Sequence, residues 1–548
     1  MVCMQVLSAA EMQACDRLTS ERFGVPSFDL MRAASAAVAN FARQQFPRAK
    51  RITVLCGRGN NGGDGMMAAR QLGASGLEVT TILLGSRDKL TGDAAEAWRE
   101  LTSPAHGLVQ IVQAPEDLAN CKAALDTDLI LDAVVGTGFK PPLKGLALAA
   151  LEWLKASAAP ILAVDLPSGW PADETSATFA GPVFPADAVI TFTAPKPAHV
   201  FGQLTRHWSQ PIVVAPIGSP QGAIVSEMGL TWAGSALSLA QTPRAAMANK
   251  GNFGHVLVVG GSVGKSGAPS MTSLGALRVG AGLVTAAVPA QVLPLVSSVA
   301  RELMTWPLAA TDTGSISSEN MVSVVAALTS GKTVLAIGPG LGQSPETIKF
   351  TTGLLSTTKM PTVIDADALN ILAAKPVLLT KLAKGRTLVL TPHPGEMARL
   401  TGLTVAEVQA NRLDVARNFA QQNGVTLVLK GWRTLIVHPD GRVAINTTGN
   451  PGMAKGGSGD LLTGLVAGLL AQYPGEPARA IEAAVYLHGL AGDLAVRVAD
   501  EHTLLATDCL SQLSSAFHFR SSGANGYLWL QGLPAEVLQT AALFEAKG

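Results

Sequence analysis

The stretch best suited to chemistry is the glycine-rich segment 449–460, GNPGMAKGGSGD, which precedes the apolar run 461–470. Glycines at this density favour a loop whose backbone approaches a ligand closely. The apolar run is long enough for a buried helix, and a helix N-terminus offers free N–H groups and a partial positive charge that suit an anion. Asp460 lies at the start of that helix, where its carboxylate either caps the backbone or acts as a base beside the anion.

That loop can form only one wall of a nucleotide site. A helix terminus contributes about 0.3–1 kcal/mol and a charge-assisted hydrogen bond about 1.5–3, whereas micromolar binding needs about 8 kcal/mol. The other walls are predicted where polar residues follow apolar strands, at 334–342, 362–370, 388–396 and 426–434. Gly264-Lys265-Ser266 suggests a phosphate-binding P-loop, but this is the weaker interpretation because no strand of the Walker-B kind is clear.

The first half of the chain carries a second set of candidate residues. The strand-like run 51–57 leads into a glycine-rich turn at 59–65 and a predicted helix from Met66 to Leu72. Strand, glycine-rich turn and helix form the phosphate-binding arrangement of doubly wound folds. The asparagines and Asp64 within the turn add oxygens that could hold a cation or a polar ring, although Asp64 could simply cap the helix.

Three more polar residues lie at or just after strand ends. Asp132 lies late in the apolar run 128–138, and Asp165 and Ser168 end the run 160–169. Ligands of open parallel sheets bind beyond the carboxyl ends of the strands, so these side chains are predicted to gather with Asp64 at one edge. Carboxylates in different environments are what proton abstraction and return require.

The elements that must position these residues alternate between strands and helices. Residues 8 to about 46 are predicted helical, and Ser8 followed by Glu11 is a capping-box pattern. Strand–helix units then repeat in both halves, which predicts α/β layers. Periodicity is lost between about 216 and 250, so we place a boundary near 225–245. The predicted division is 1–230, 231–515, and a tail, 516–548, without assignment.

Composition excludes several classes of protein. The 548 residues carry a net charge of +1, which gives no electrostatic reason to expect nucleic acid or an acidic membrane as a partner. Five scattered cysteines without a C-x-x-C pair favour a reducing compartment, so a cytoplasmic location is expected. No apolar run reaches the length of a membrane span, and no signal-peptide core is seen.

The first half resembles a known family. The strings 60–65 (NNGGDG), 132–138 and 164–169 (VDLPSG) resemble the NAD(P)H-hydrate epimerase domain over about residues 8–220. This resemblance implies a Rossmann-like domain that interconverts the R and S epimers at C6 of hydrated NAD(P)H. It implies potassium ligands at Asn61, Asp132 and Ser168, and it makes Asp165 the candidate proton-transfer residue. The implied substrate-binding residues are Asn60, Asn61, Gly62, Gly63, Asp64, Gly136, Thr137, Gly138, Phe139, Lys140, Pro141, Pro142 and Asp165.

The second half resembles the ADP-dependent NAD(P)H-hydrate dehydratases, members of the ribokinase-like superfamily, over about residues 245–510. The strongest matches are 393–397 (HPGEM) and 450–460. Asp460 is the implied catalytic residue, because the matching Asp of the superfamily's kinases deprotonates an alcohol; here the C6 hydroxyl must instead leave. The resemblance also implies ADP as co-substrate, with Mg²⁺. The implied nucleotide-binding residues are Lys430, Gly431, Trp432, Arg433, Thr434 and Gly459, and the implied substrate-binding residues are Ala268, Gly340, His393 and Asp460.

The expected fold class is α/β, with an N-terminal Rossmann-like doubly wound domain followed by a ribokinase-like α/β domain. The expected function is nicotinamide nucleotide repair: the first domain epimerises NADHX and NADPHX, the hydrated forms, and the second dehydrates the S form using ADP. Preference for ADP over ATP stays open. The alternatives are a ribokinase-type small-molecule kinase and a nucleotide-binding scaffold with an inactive first domain. No nucleic acid or membrane partner is expected. The protein is expected to form a homo-oligomer.

Overall fold

The computed structural model describes residues 3–102, 107–323, 325–523 and 525–534. These residues form two compact units. The first domain comprises residues 4–228 together with the described residues from Arg520 onward, and the second comprises Cys3 and residues 229–519. The described part of the predicted tail is divided: residues 516–519 belong to the second domain, and the described residues from Arg520 belong to the first.

The first domain is built on a sheet that has eight strands within the described residues. Its order is the last strand of the described residues, then β7, β6, β5, β4, β1, β2 and β3. β1 to β7 pair in parallel, and the last strand is antiparallel to β7. The order reverses between β1 and β4, which makes their carboxyl ends the switch point where doubly wound sheets bind ligands. The strands are β1 (Arg51–Cys56), β2 (Glu78–Leu84), β3 (Leu108–Val112), β4 (Leu129–Ala133), β5 (Ile161–Val164), β6 (Ala188–Phe192), β7 (Ile212–Ala215) and the last strand, Leu528–Gln531.

Helices cover this sheet. The helix predicted from Ser8 to Phe46 is instead two helices, because Gly24, with φ +72°, and Pro26 interrupt it. The predicted capping box is confirmed, since the backbone N of Ser8 donates to Glu11 Oε2 at 2.8 Å and Glu11 N donates to Ser8 Oγ at 3.2 Å. The α-helices are α1 (Ala9–Glu21), α2 (Ser27–Gln45), α3 (Asn60–Ala74), α4 (Gly92–Leu101), α5 (Leu146–Leu154) and α6 (Pro197–Phe201), with 3₁₀ turns at Arg87–Lys89, Pro115–Leu125 and Gln221–Ala223.

The last strand of the described residues, together with Tyr527 just before it, completes the core of the first domain. Trp529 is buried, with its ring centroid 6.2 Å from that of Phe41 on α2. Tyr527 packs edge-on against the same ring at 6.0 Å and donates its hydroxyl to the Ala37 carbonyl at 3.1 Å. The C-terminal segment thus seals the layer between α2 and the sheet.

The second domain is built on a sheet with ten strands within the described residues, in the order β11, β10, β9, β12, β13, β14, β15, β16, β17, β8. The seven strands from β9 to β15 pair in parallel, β16 is antiparallel to both its neighbours, and β17 pairs with β8 in parallel. Its switch point lies between β9 and β12. The strands are β8 (Leu230–Trp232), β9 (His255–Val259), β10 (Leu283–Pro289), β11 (Met304–Leu308), β12 (Val334–Ile337), β13 (Thr362–Ile364), β14 (Leu388–Leu390), β15 (Thr426–Leu429), β16 (Leu435–Val437) and β17 (Val443–Ile445).

The apolar run after the glycine-rich segment forms a buried helix, as predicted. It is α18, and it packs closely on α8, where a Cβ at Gly275 would lie 2.8 Å from the Leu461 carbonyl oxygen. No helix in the described parts of the chain is long and apolar enough to cross a membrane. The α-helices are α7 (Leu237–Ala240), α8 (Gly267–Arg278), α9 (Leu293–Ser297), α10 (Asn320–Ser323), α11 (Val325–Thr329), α12 (Pro345–Thr357), α13 (Ala366–Ala373), α14 (Pro376–Leu382), α15 (Pro394–Thr401), α16 (Val405–Ala410), α17 (Arg412–Asn423), α18 (Ser458–Gln472), α19 (Pro477–Ala495), α20 (Ala506–Ser511) and α21 (Leu513–His518), with 3₁₀ turns at Ala233–Ala236, Lys250–Phe253 and Pro451–Met453.

Candidate active sites

The first candidate site opens at the switch point between β1 and β4. Helix α3 begins at Asn60, so the polar string lies inside the helix, and the predicted turn at 59–65 before a helix from Met66 is wrong. Asn60, Asn61 and Asp64 are spaced for one helical face. All three line a cavity of about 940 Å³.

The glycines of the same string have a packing role. Gly62 and Gly63 are buried and are absent from the cavity lining. The structure therefore does not place them where the predicted substrate contacts would need them. A Cβ at Gly62 would lie 2.0 Å from the Gly57 carbonyl oxygen, so a larger residue there would require the backbone to move, and a Cβ at Gly63 would lie 2.6 Å from Cε of Met31 on α2. These two glycines allow α3 to approach its neighbours closely.

The loop after β4 forms the opposite wall. Residues 136–139 line the cavity, as predicted. Lys140, Pro141 and Pro142 are exposed and do not line it, because the loop turns outward at this point. The structure therefore does not bring these three predicted substrate contacts to the site.

The Asp165 carboxylate follows β5 and is held by four hydrogen bonds. Its Oδ1 accepts from Lys196 Nζ at 2.9 Å and from Thr191 Oγ1 at 2.9 Å. Its Oδ2 accepts from the backbone N of Thr137 at 2.8 Å and from the Thr137 hydroxyl. Burial opposes ionisation, but the Lys196 ammonium and these hydrogen bonds lower the pKa of Asp165 well below its usual range. Such a carboxylate is a weak base, which disfavours the predicted proton-transfer role and favours that of an ionised anchor.

Sequence reasoning missed Lys196 and His199, which hold Asp165 in place. Lys196 is 2% exposed, and its Nζ also donates to Thr191 Oγ1 at 2.7 Å. His199 Nδ1 accepts the Lys196 backbone N–H at 3.0 Å, so Nε2 carries the proton donated to the Asp165 carbonyl at 2.7 Å. Burial and the Lys196 charge lower the pKa of His199 to about 4, and the imidazole is neutral. Lys196 comes shortly after buried strand β6, so strand-end reasoning could have found it.

The second candidate site lies at the carboxyl ends of β13, β14 and β15. Asp365, directly after β13, is 2% exposed. Its Oδ1 accepts from Lys430 Nζ at 3.0 Å, and its Oδ2 accepts from Thr463 Oγ1 at 2.8 Å. Thr463 lies on α18 about one turn after Asp460, so Asp365 joins the predicted nucleotide-binding lysine to the helix that carries Asp460. Asp365 and Thr463 were not predicted as site residues.

Asp460 lies in the first turn of α18 and is only partly buried, so it remains accessible. Burial, reinforced by the nearby Asp365 and opposed by Lys430, raises the pKa of Asp460 to about 6. A carboxyl with this pKa can exchange a proton near neutral pH. Lys430 lies beside the same helix terminus, because a Cβ at Gly459 would be 3.1 Å from its Nζ. The structure therefore brings Lys430, Gly459 and Asp460 together.

His393 lies at the rim, as predicted, and caps α15. Its Nδ1 accepts from the backbone N of Gly395 at 3.0 Å and of Glu396 at 3.3 Å. Glu396 Oε2 in turn accepts from the backbone N of His393 at 2.9 Å and lies 3.9 Å from Lys430 Nζ. With Nδ1 occupied as an acceptor, the proton of a neutral His393 is on Nε2, on a side chain that is 52% exposed.

Ala268 and Gly340 lie together at the second switch point. A Cβ at Gly340, where φ is +66°, would lie 3.3 Å from Cβ of Ala268 and 2.7 Å from the Lys265 carbonyl oxygen. Lys265 pairs with Asp367 at 3.4 Å. The P-loop interpretation is disfavoured by this pairing and by the spacing, because the pattern needs four residues between its glycines and only three separate Gly260 from Gly264.

Arg433 points into the domain. It is buried at φ +52°, and its Nη1 donates to the Thr447 carbonyl at 2.8 Å. Its guanidinium also lies 4.4 Å from the centre of the Trp432 ring. Within the predicted segment 430–434, the Arg433 side chain therefore supports the loop, and Lys430 faces the site.

Known proteins match both halves of the chain. A family model described as YjeF-related protein N-terminus matches residues 27–198, and one described as NAD(P)H-hydrate dehydratase matches residues 256–515. The bifunctional NAD(P)H-hydrate repair enzyme of Moorella thermoacetica is 41% identical over 523 residues, 93% of this chain and 96% of the relative. That of Escherichia coli is 35% identical over 510 residues, 92% of each chain. The chain belongs to the family of bifunctional NAD(P)H-hydrate repair enzymes.

A solved structure is also similar to about half of this chain. It is the ADP/ATP-dependent NAD(P)H-hydrate dehydratase from Bacillus subtilis, co-crystallised with ATP and Mg²⁺. It is 33% identical, with a TM-score of 0.44, and the match covers 52% of this chain and 96% of that one.

The residues predicted to bind potassium supply oxygen donors next to the first cavity. Asp132 is fully buried; its Oδ1 accepts the Ser168 hydroxyl at 2.6 Å, and its Oδ2 accepts the Ser168 backbone N at 2.8 Å. Burial raises the pKa of Asp132 to about 6, although these hydrogen bonds oppose the shift. Asn61 Oδ1 and Nδ2 are buried with no partner in the described parts of the chain. A buried amide without a partner fits a site that a ligand completes, and carboxylate, hydroxyl and amide oxygens suit a hard cation.

Proposed function

We propose that this chain repairs hydrated nicotinamide nucleotides in two steps, one in each domain. The first domain interconverts the R and S epimers of NADHX and NADPHX, and the second removes water from the S epimer in an ADP-dependent reaction. The observation that carries the proposal is that each domain has its own group of carboxyls at the switch point or strand ends, with an aspartate paired to a lysine. This supports two independent catalytic centres and disfavours a scaffold with an inactive first domain.

In the first domain, Asn60, Asn61, Asp64 and the loop 136–139 bind the hydrated nucleotide. Asn61, Asp132 and Ser168 hold a potassium ion, whose charge would suit the nucleotide's phosphates. Asp165 stays ionised and fixes the Thr137 loop through the hydrogen bonds to Oδ2.

In the second domain, Ala268, Gly340 and His393 position the nicotinamide ring of the substrate. Lys430 and Gly459 bind ADP, with the segment 431–434 shaped by the buried Arg433, and the acidic side chains beside Lys430 favour Mg²⁺ as the accompanying metal. Asp460 transfers a proton at the C6 hydroxyl, which has to leave. The pKa of about 6 supports this role because both protonation states are accessible near neutral pH.

The test uses the two epimers separately. The S epimer with ADP needs the second domain alone, whereas the R epimer with ADP needs both; each is followed by the return of reduced-nicotinamide absorbance. Asp460→Asn should abolish the return from both epimers while R and S still interconvert, as measured by chromatography. Absence of any return from the S epimer with the wild-type protein would refute the dehydratase proposal. A phosphorylated product from a hydroxymethyl substrate would support the kinase alternative instead.

We also propose a cytoplasmic location and a homo-oligomeric state. The first is supported by the unpaired cysteines, four of which are buried. Size-exclusion chromatography with light scattering tests the second.

A further inference from the structure

Asp64 differs from the other carboxyls of the first domain's site. Its side chain has no hydrogen-bond partner in the described parts of the chain, whereas Asp165 accepts from Lys196, Thr191 and Thr137 and Asp132 accepts from Ser168. Asp64 lies in the second turn of α3 and lines the cavity of about 940 Å³. It is therefore a carboxyl that faces the substrate space and is held by nothing else.

The surroundings of Asp64 favour its neutral form. Burial raises the pKa of Asp64 well above its usual range, and the carboxylates of Asp165, Asp16 and Asp93 raise it further, while Lys196 opposes them. These charges come from α1 (Asp16), α4 (Asp93) and the segments after β5 and β6. Arg58, Lys89 and Lys144 are the other charged residues of the cavity wall. One ionised and one neutral carboxyl in a single cavity are the arrangement that acid–base chemistry uses.

The geometry points to Asp64 as the group that moves the proton during epimerisation. This inference rests on the proposed epimerase function. It assigns the proton transfer to Asp64 in place of Asp165. In the hydrated nucleotide, C6 carries a hydroxyl and is bonded to ring N1. The neutral Asp64 carboxyl donates its proton to N1 while its other oxygen takes the proton of the C6 hydroxyl.

The step balances without a further reactant. The C6–N1 bond breaks with its electron pair on N1, the O–H pair forms the C6 carbonyl, and Asp64 is again a neutral acid. Rotation about the C5–C6 bond then presents the other face of the carbonyl to N1. The reverse transfer closes the ring with the opposite configuration. Asp165, held by its donors, takes no proton in this scheme and acts through the positions of Thr137 and Lys196.

The test measures interconversion of purified R and S epimers by the full-length protein across pH, without ADP and after subtraction of the uncatalysed rate. Wild type should lose activity as pH rises through the pKa of Asp64. Asp64→Asn should lower the maximum rate by about 10²–10⁴-fold, as expected for loss of a general acid–base. Asp64→Glu should recover part of that loss. Both variants should dehydrate the S epimer with ADP at the wild-type rate, which shows that the second domain is unaffected, and unchanged hydrogen exchange in β4, β5 and β6 shows that the first domain is folded. Asp93→Asn, which removes a negative charge near Asp64, should keep the maximum rate and move the alkaline loss to lower pH.

Each outcome decides the inference. A near-wild-type rate in Asp64→Asn overturns it, and so does a residual rate that keeps the wild-type alkaline loss, because another group would then titrate. If Asp64→Asn fails to fold, the Asp93→Asn profile decides, and an unmoved alkaline loss overturns the inference. If the wild-type protein does not interconvert the epimers at all, the proposed epimerase function fails, which is a distinguishable result.

Discussion

Replacing Lys196 by Met should destabilise the first domain alone. Lys196 is 2% exposed and lies 2.9 Å from Asp165 Oδ1, so the variant leaves a buried carboxylate without its cation. Breaking a buried ion pair from one side costs about 3–5 kcal/mol. Thr191 and Thr137 still donate to Asp165, so we expect the lower end, about 3 kcal/mol, which corresponds to roughly a 10²-fold change in an equilibrium constant.

Hydrogen exchange followed by mass spectrometry is the suitable assay, because peptides from the two domains are read separately. The slowest amides of β4, β5 and β6 should lose protection by roughly 10²-fold in Lys196→Met, whereas those of β12 and β13 should not change. The double variant Asp165→Asn/Lys196→Met should recover at least half of the loss, because replacing both partners removes the unpaired charge.

The pH dependence gives a second check. The pKa of folded Asp165 is lowered, so its ion pair stabilises the domain above the unfolded pKa of about 3.9 and is lost as pH falls. The difference between wild type and Lys196→Met should therefore be full at neutral pH and shrink below about pH 4. Equal protection in wild type and the single variant, or a double variant as unstable as the single, would refute the reasoning.

Three further predictions concern other residues. Asp365→Asn removes a negative charge beside Asp460, so the dehydratase pH midpoint near the Asp460 pKa of about 6 should move to lower pH; an unmoved midpoint in the pH–rate profile would argue against the coupling. Asn61→Ala removes a buried amide that has no partner among the described residues, so half-saturation of epimerisation by potassium should rise by about tenfold or more in a potassium titration, with sodium as counter-ion control. Trp529→Ala should destabilise the first domain by about 3–5 kcal/mol, seen as faster hydrogen exchange in α2 but not in α18; unchanged exchange in α2 would mean that the last strand does not complete this core.

Strand ends were predictable from the sequence, because buried parallel strands are continuous apolar runs and polar residues that follow them stand out. Asp132, Asp165 and His393 were found in this way, and the structure places each at or next to a strand end. Helix starts were less predictable. Glycine-rich strings suggest turns, but Gly62 and Gly63 lie inside α3, where their missing side chains permit close packing on the Gly57 backbone and on Met31 of α2. Periodicity cannot separate these two uses of glycine.

Ion pairs and packing contacts between residues far apart in the chain could not be predicted from the sequence. Lys196 and Asp165 are 31 positions apart, and Lys430 and Asp365 are 65 apart. No local pattern shows which lysine reaches which carboxylate. The last strand was missed for the same reason, because Trp529 finds its partner Phe41 at the other end of the chain.

The two sites share one electrostatic arrangement. In each, an aspartate at a strand end is buried and paired with a lysine, Asp165 with Lys196 at 2.9 Å and Asp365 with Lys430 at 3.0 Å. In each, a second aspartate near the start of a helix, Asp64 or Asp460, has a raised pKa. A helix N-terminus by itself would favour the ionised form, so burial and the neighbouring carboxylate must outweigh it. The paired aspartate is thus more than an anchor: burial contributes most to the raised pKa of the second carboxyl, and the negative charge of the paired aspartate raises that pKa further. Neutralising either paired aspartate should consequently change the pH at which that domain works, even though neither one transfers the proton itself.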